Sequence, residues 1–331
     1  MLVARYYNNR DIRLEEQPRP QIGPGEILVE VMASGICGTD VMEWYRVKKA
    51  GCVLGHEIAG IIAESRSDGY NVGQRVFVSH HVPCNDCKYC RAGNHTACET
   101  LHSGNYDPGG YSELIRVPKL NVERGIYLLP DSVSYEEGTM IEPVACAVRG
   151  QRVIDVSEGH LVLILGSGVS GLINIQLAKI KGATVIATDI SEYRLKKAQE
   201  FGADEVIDAN RDFNVKADRI IICTGALKAA EESFKCIDRS GVILFFAIPD
   251  KDVAIPIVDF WRNEIKIMSS YGAASSDLEE ALTLIAGKKI DVKDMITHRL
   301  PLEDIQEGFK LVADAGESLK VVLGPRRKGP A

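Results

Sequence analysis

The sequence predicts an α/β protein with an all-β part attached. A compact barrel or sandwich is expected over about the first 140 residues, followed by a doubly wound parallel sheet. Three observations predict this. Short β-type runs broken by Gly, Pro and Asp mark the first region. Regular alternation of apolar runs with helical segments marks the second. A glycine-rich turn joins the first strand and first helix of that second region.

In the first region the β-type runs are 27–32, 58–63, 76–79 and 111–117. Between them stand Gly23-Pro24-Gly25, Ser67-Asp68-Gly69 and Asp107-Pro108-Gly109-Gly110. Such clusters interrupt strands because Gly supplies positive φ, Pro pre-sets a turn and Asp ties up local backbone donors. From about residue 144, strands are expected at 161–165, 184–189, 205–207, 219–223, 242–247 and 265–269. Helices are expected at 169–181, at 191–201 (closed by Gly202) and at 227–237. Crossover helices between six strands imply parallel pairing. After residue 273, Ser276-Asp277-Leu278-Glu279 reads as a capping box opening a helix that Gly287 ends. Pro301 is expected to start a further helix and Gly316 to end it. Strands at 296–300 and 319–323 either extend the sheet or return to the first region. No low-complexity segment or solenoid repeat is present.

The glycine turn carries the first functional signal. An apolar strand, Leu161-Val162-Leu163-Ile164-Leu165, runs into Gly166-Ser167-Gly168-Val169-Ser170-Gly171, which fits G-x-G-x-x-G. A helical segment follows, then a β-rich run ending at Asp189, 18 residues after Gly171. Gly166 would allow the tight turn, Gly168 the approach of a pyrophosphate, and Gly171 close packing of helix on strand. The free N–H groups at Val169 and Ser170 and the positive end of the helix dipole would hold phosphates. Asp189 would accept hydrogen bonds from the adenosine ribose, and its charge would repel a 2′-phosphate. That favours NAD over NADP. Arg194 is basic and near in sequence; it would stack on adenine or, alternatively, meet a phosphate. Ligands on such sheets bind at the strands' C-terminal ends, which puts Thr224-Gly225 and Ala247-Ile248 near the cofactor.

A chain of 331 residues suggests two domains, and 45% hydrophobic content is ample for their cores. The net charge is −7, from 39 basic and 46 acidic residues. The only basic run, Arg326-Arg327-Lys328, reads as a frayed end, so no nucleic-acid partner is expected. No apolar run approaches the ~20 residues of a bilayer span, so no membrane partner is expected. Met1-Leu2-Val3-Ala4-Arg5 leads straight into charged sequence, without a signal peptide, and the expectation is a soluble cytoplasmic protein.

Nine cysteines are present, four of them in Cys84-x2-Cys87-x2-Cys90-x7-Cys98. Short spacings let neighbouring sulfurs converge, and four thiolates can close a tetrahedron around Zn²⁺ with no position left open. A structural zinc in a lobe at about 80–100 is therefore expected. Disulfides are disfavoured without an export signal, and an iron–sulfur centre because a hydride cofactor needs no electron relay. His80, His81, His95 and His102 read as solvated loop residues.

Three further pieces are weak one by one: Gly35-Ile36-Cys37-Gly38-Thr39-Asp40, Gly55-His56-Glu57 and Ile141-Glu142-Pro143. Cys37 alone is as readily a buried small hydrophobe. His56-Glu57 alone is as readily an ordinary turn, and Glu142 a solvated acid. Together with the glycine turn, the cysteine cluster, Gly109-Gly110-Tyr111-Ser112-Glu113 and the Asp277–Leu282 and Pro301–Phe309 stretches, they run nearly the whole chain in one order. In that order the chain resembles the zinc-dependent medium-chain alcohol dehydrogenase superfamily, most closely its polyol (sorbitol) and threonine dehydrogenase branch.

The resemblance implies a GroES-like β-barrel catalytic domain (1–143 and 274–331) with an inserted Rossmann NAD-binding domain (144–273). It implies two zinc ions per chain, one structural and one catalytic. The catalytic ion would be held by Cys37, His56 and an acid, with Glu57 and Glu142 both candidates and Cys146 read as structural. Thr39 matches the residue that hydrogen-bonds the reacting oxygen. Many relatives carry a histidine five residues after the ligand cysteine; here Met42 stands there. An altered proton exit is expected, through the cofactor ribose, Glu43 or water, although Glu43 reads more simply as a solvent-facing acid. Trp44 and Tyr45 would wall the pocket or join a core, and Arg149 would meet a hydroxyl or phosphate or lie on the surface. The implied reaction is hydride transfer between a small secondary alcohol and NAD, giving the ketone. The alternatives are a threonine-type or sugar-phosphate dehydrogenase, or a non-catalytic zinc-binding protein on the same fold. A homodimer or homotetramer through the Rossmann sheet edge, with 253–258 as edge strand, is also implied.

Overall fold

The computed structural model describes residues 1–325; Arg326-Arg327-Lys328 lies outside the described residues. In chain order the strands are β1 (Leu2–Asn8), β2 (Asp11–Glu16), β3 (Ile27–Gly35), β4 (Cys52–Val53), β5 (Glu57–Ser65), β6 (Arg75–Ser79), β7 (Leu114–Val117) and β8 (Ile126–Leu128). They continue as β9 (Leu161–Leu165), β10 (Thr184–Asp189), β11 (Glu205–Asp208), β12 (Ala217–Ile222), β13 (Ile237–Phe245), β14 (Lys266–Ser269), β15 (Ile296–Pro301) and β16 (Lys320–Gly324). Two compact units result. One joins Met1–Glu142 with Gly272–Gly287 and the segment from Val292 onward; the other is Pro143–Tyr271 with Lys288–Asp291.

The second unit is built on a six-stranded sheet of order β11-β10-β9-β12-β13-β14. Every adjacent pair is parallel. The helices Val169–Ile180, Glu192–Glu200 and Leu227–Cys236 supply crossovers, as doubly wound folds require. The apolar run of β9 needs no alternation because a central parallel strand is buried on both faces; Leu163 and Ile164 are fully buried. Ser191 caps its helix, its Oγ accepting from the Arg194 N–H at 3.5 Å.

The first unit holds a mixed seven-stranded sheet of order β15-β16-β3-β5-β6-β8, with β7 also on β3, and a three-stranded sheet β2-β1-β4. One core cluster gathers β1, Ile36, Tyr111, Phe309 and the strand residues Val321 and Leu323; another lies between β3, β5, β6 and β7. Strand register decides which side chains share a rim. Gly35 of β3 lies opposite Glu57 of β5, and Glu57 lies opposite Ser79 of β6. The residues just beyond these three, Cys37, His56 and His80, therefore leave the sheet at one rim.

Several expectations change. Strands β1 and β2 escape the sequence reading because charged residues such as Arg5 and Arg13 break up their apolar pattern. The 111–117 run becomes a strand only at Leu114. Before it, the Tyr111 carbonyl accepts from the Ala4 N–H (2.8 Å) and the Glu113 N–H donates to Leu2 (3.1 Å), so these residues serve β1 instead. Ser276 is not the N-cap of its helix, which spans Ser275–Ala286; the cap is Ala274, whose N–H donates to Asp277 Oδ2 at 2.8 Å. Pro301 closes β15, and the last helix is Ile305–Asp314 with Ala315 left-handed behind it. Residues 253–258 are not a strand: the helix Ile257–Asn263 begins there after Pro256, and β14 holds the sheet edge. No helix among the described residues is long and apolar enough to cross a membrane.

Candidate active site

At the shared rim of β3, β5 and β6, the ligand atoms of Cys37, His56 and Glu57 all lie within 4.8 Å of one another. Glu142, in the first turn of the helix Ile141–Val153, is not part of that close set; its charge acts on His56 from farther off. Asp40 lies behind the three and is fully buried. Its Oδ1 stands 3.6 Å from His56 Nδ1, and its Oδ2 accepts the Tyr111 hydroxyl at 2.6 Å. A carboxylate on the Nδ1 side orients the ring and leaves Nε2 as the nitrogen able to meet a metal. Burial opposes a charge on His56, but Asp40, Cys37 and Glu142 outweigh it and push its pKa to about 10. A cation at the site therefore displaces a proton that the site already favours.

Glu57 is also paired with Lys320 of β16, and both side chains are buried. Burial works against the Lys320 charge, yet Glu57 and Cys37 hold it above the usual lysine range. Gly35 makes room for this pair. A Cβ there would run into the Glu57 carboxylate and would come within 2.8 Å of Lys320 Cε. The sequence reading gave Lys320 no role; its only signal is a lone lysine in an otherwise apolar strand.

Thr39 sits two residues beyond Cys37, its Oγ1 3.3 Å from Cys37 Sγ. Glu43 is exposed and accepts the Asn9 N–H at 2.9 Å. Trp44 and Tyr45 are exposed and contact each other, so neither is a core residue. His80 and His81 are not solvated loop residues. Their rings lie 3.6 Å apart, with His80 5.0 Å from His56. Burial, then the neighbouring imidazoles, holds both well below the usual histidine range, His81 at about 3. His95 is half-buried and His102 exposed.

In the cysteine lobe, ligand sulfurs of Cys84, Cys87, Cys90 and Cys98 lie within 4.8 Å of one another. Backbone N–H groups point at them: Cys87 N donates to Cys84 Sγ at 3.2 Å and Cys84 N to Cys98 Sγ at 3.3 Å. Such donors favour the thiolate, and they hold Cys84 below the usual thiol range. Four sulfurs with no oxygen or nitrogen among them suit a closed zinc site, whereas one sulfur, one imidazole and one carboxylate leave a tetrahedral position open. Cys90→Ser is expected to cost one zinc per chain and to open the lobe to proteolysis, which metal analysis and limited digestion would check.

In the second unit, Asp189 is buried at the tip of β10. Its Oδ2 accepts the Ser167 N–H (2.8 Å) and its Oδ1 the Ser191 N–H (2.9 Å). The glycine turn keeps its backbone close: Gly166 has φ +95°, and a Cβ on Gly171 would overlap the Gly166 carbonyl. A Cβ on Gly168 would meet nothing within 4 Å. The Thr224 loop lies against Gly166, and Gly225 lies against the Ile248 carbonyl, so the Ala247-Ile248 segment meets the same end of the sheet. Arg194 is half-buried with its Nε unpaired; Arg149 is likewise half-buried and not a surface arginine.

The alcohol dehydrogenase GroES-like domain family matches residues 23–130, and the zinc-binding dehydrogenase family matches residues 170–287. Sorbitol dehydrogenase of Mus musculus is 32% identical over 334 residues, covering 95% of this chain and 92% of that protein. A protein of Aspergillus fumigatus named "Probable D-xylulose reductase A" is 30% identical over 338 residues, covering 94% of this chain and 93% of its own. The crystal structure of 2R,3R-butanediol dehydrogenase from Bacillus subtilis matches with a TM-score of 0.85 at 25% identity, over 98% of this chain and 99% of that one. With both domain families in this order and such identity along nearly its whole length, the chain belongs to the zinc-dependent medium-chain alcohol dehydrogenase superfamily, in its polyol branch.

Proposed function

We propose that this enzyme moves a hydride between a secondary alcohol of polyol type and NAD, giving the ketone, with zinc held by Cys37, His56 and Glu57. The observation that carries this reading is the convergence of those three side chains at one rim, with Asp40 buried behind His56. A zinc ion bound there supplies Lewis acidity, which eases proton loss from an alcohol oxygen. Asp40 orients His56, Lys320 offsets part of the Glu57 charge, and Thr39 hydrogen-bonds the reacting oxygen. Glu142 acts on the site through its charge. Cys84, Cys87, Cys90 and Cys98 hold the second, structural zinc.

Cofactor contacts are assigned to the glycine turn (Gly166, Gly168, Val169, Ser170, Gly171), to Asp189 on the adenosine ribose, and to Thr224, Ala247 and Ile248 around the nicotinamide end. Arg194 stacks on adenine. The sugar and threonine branches of the family are separated by substrate, and the names of the relatives favour a polyol.

The face around the helix Ile257–Asn263 is assigned to a homodimer or homotetramer. Ile257, Val258 and Trp261 are 68%, 63% and 77% exposed on this one short helix, and contiguous exposed apolar side chains mark interaction surfaces. Light scattering on wild type and on Trp261→Lys tests this. Nine cysteines, four of them gathered in one metal-binding cluster, suit a reducing compartment, and the cytoplasm is proposed.

The deciding experiment counts zinc per chain before and after mild chelation and follows NAD and NADP reduction over polyols, sugar phosphates and threonine. Two zincs, one of them lost together with NAD-linked polyol oxidation, are expected. One tightly held zinc, with no turnover after zinc is restored, would overturn the reading.

A further inference from the structure

Arg46 closes the short helix Glu43–Arg46, and its backbone N–H donates to the Met42 carbonyl at 2.9 Å. That turn folds its side chain back over the loop at 39–40. The side chain is only 11% exposed. Nε donates to the Thr39 carbonyl at 3.1 Å and Nη2 to Thr39 Oγ1 at 3.0 Å. Nη2 also pairs with Asp40 Oδ1 at 3.1 Å, on the same carboxylate that faces His56. One guanidinium thus grips both the hydroxyl beside Cys37 and the acid that orients His56.

We propose that Arg46 is a positioning residue for the reaction: it fixes the Thr39 hydroxyl as a hydrogen-bond donor to the reacting oxygen and keeps a positive charge beside that oxygen. The inference rests on the role given to Thr39 above. A hydroxyl has one hydrogen and two acceptor lone pairs, whereas a guanidinium donates, never accepts and stays protonated in proteins. Oγ1 therefore accepts from Arg46 and must turn its own hydrogen elsewhere. In this structure Cys37 Sγ lies on that side, at 3.3 Å. Thr39 cannot hand a proton on to Arg46, and the thioether of Met42 carries none. Arg46 thus keeps the Thr39 hydrogen available to the reacting oxygen, whose own proton passes on to solvent water. Asp40 offsets part of the Arg46 charge, and with the side chain 11% exposed little water screens the remainder.

Other charged and titratable groups lie within electrostatic reach. Glu43 and Lys49 come from the segment of Arg46 itself. His56, His80, His81 and Tyr6 come from the packed strands and the loops at their ends. None of them hydrogen-bonds Thr39 Oγ1, whose partners are Arg46 Nη2 as donor and Cys37 Sγ as acceptor.

The test uses Arg46→Gln, which keeps a donor without the charge, and Arg46→Lys, which keeps the charge without the fork. Each is made alone and with Thr39→Val in the zinc-loaded protein. Arg46→Gln should lower kcat/KM for the alcohol about tenfold and move the acidic limb of its pH profile up by about one unit, since a unit of pKa corresponds to about a factor of ten. Zinc content and NAD affinity should hold, while the melting temperature falls because the buried Asp40 carboxylate loses a charged partner. In the Thr39→Val background the same change should cost less than about threefold, because residues that act as one unit are not additive. Arg46→Lys should return the limb to its wild-type position, and this variant alone decides the matter if Arg46→Gln does not fold. A limb that stays put in Arg46→Gln or shifts in Arg46→Lys, fully additive losses, or zinc and NAD affinity falling in step with activity would each overturn the inference. Wild-type protein without alcohol turnover would instead overturn the functional reading beneath it.

Discussion

Replacing Cys37 with serine should empty one zinc site and lower kcat/KM about 10⁴-fold, about 5.5 kcal/mol of transition-state stabilisation. The loss should exceed the 10- to 100-fold that removal of an outer-shell partner costs a metal site, because a direct thiolate donor is gone. Serine is the stringent choice. It keeps size and polarity, but its hydroxyl gives up a proton far less readily than a thiol, so the anionic ligand is lost and little else. The lobe lies elsewhere in the chain and draws on four other cysteines, so its zinc should remain. Metal analysis should therefore read one zinc where the wild type holds two. NAD affinity at the glycine turn should change less than about twofold, since sites without shared partners behave independently. A variant that keeps both zincs and most of its activity would show that Cys37 is not a ligand.

Lys320→Met should destabilise the first unit by about 3–5 kcal/mol, the cost of leaving one member of a buried ion pair alone. The Lys320 and Glu57 side chains are 3% and 1% exposed, so water cannot take over for the missing partner. Methionine keeps the length of the stem, so the effect reports the charge more than a cavity. Adding Glu57→Gln should restore much of the stability, because no uncompensated charge then remains. Denaturant unfolding of metal-free protein measures both, with each unit followed by its own probe, since a two-unit chain need not unfold in one step. A single variant within about 0.5 kcal/mol of wild type, or a double variant worse than the sum, would refute the pair's role. Gly35→Ala tests the same contact from the other side: its methyl would press on both partners.

The second unit was the more legible part of the fold. Its central strands are apolar on both faces, so they appear as plain runs in the sequence, and Ser191 caps one of the helices between them. The glycine turn and Asp189 needed only local spacing. The edges read worse. The 253–258 stretch has β-type composition, yet Pro256 starts a helix there, and composition alone cannot distinguish the two outcomes. In the first unit, β1 and β2 were hidden by charged residues, and part of the 111–117 run was taken up by β1.

The candidate site divides in the same way. Cys84, Cys87, Cys90 and Cys98 are close in the chain, and their spacing already speaks for convergence. Cys37 and His56 belong to separate segments, and only the β3–β5 register, Gly35 opposite Glu57, brings them to one rim. The histidines at 80 and 81 read as solvated because nothing local shows that β6 delivers them to the same place.

The sequence by itself determined the alternation of strands and helices in the second unit, its doubly wound sheet, the glycine turn after β9 and the identity of the side chains able to hold metal. These depend on periodicity and on contacts between near neighbours in the chain. Only the tertiary structure decided that Lys320 answers Glu57 across Gly35, that Arg46 grips Thr39 and Asp40, and that Glu142 stands outside the close set around Cys37. Those outcomes follow from strand register and from the burial of charge. Both join residues far apart in the chain, and neither leaves a periodic trace along it.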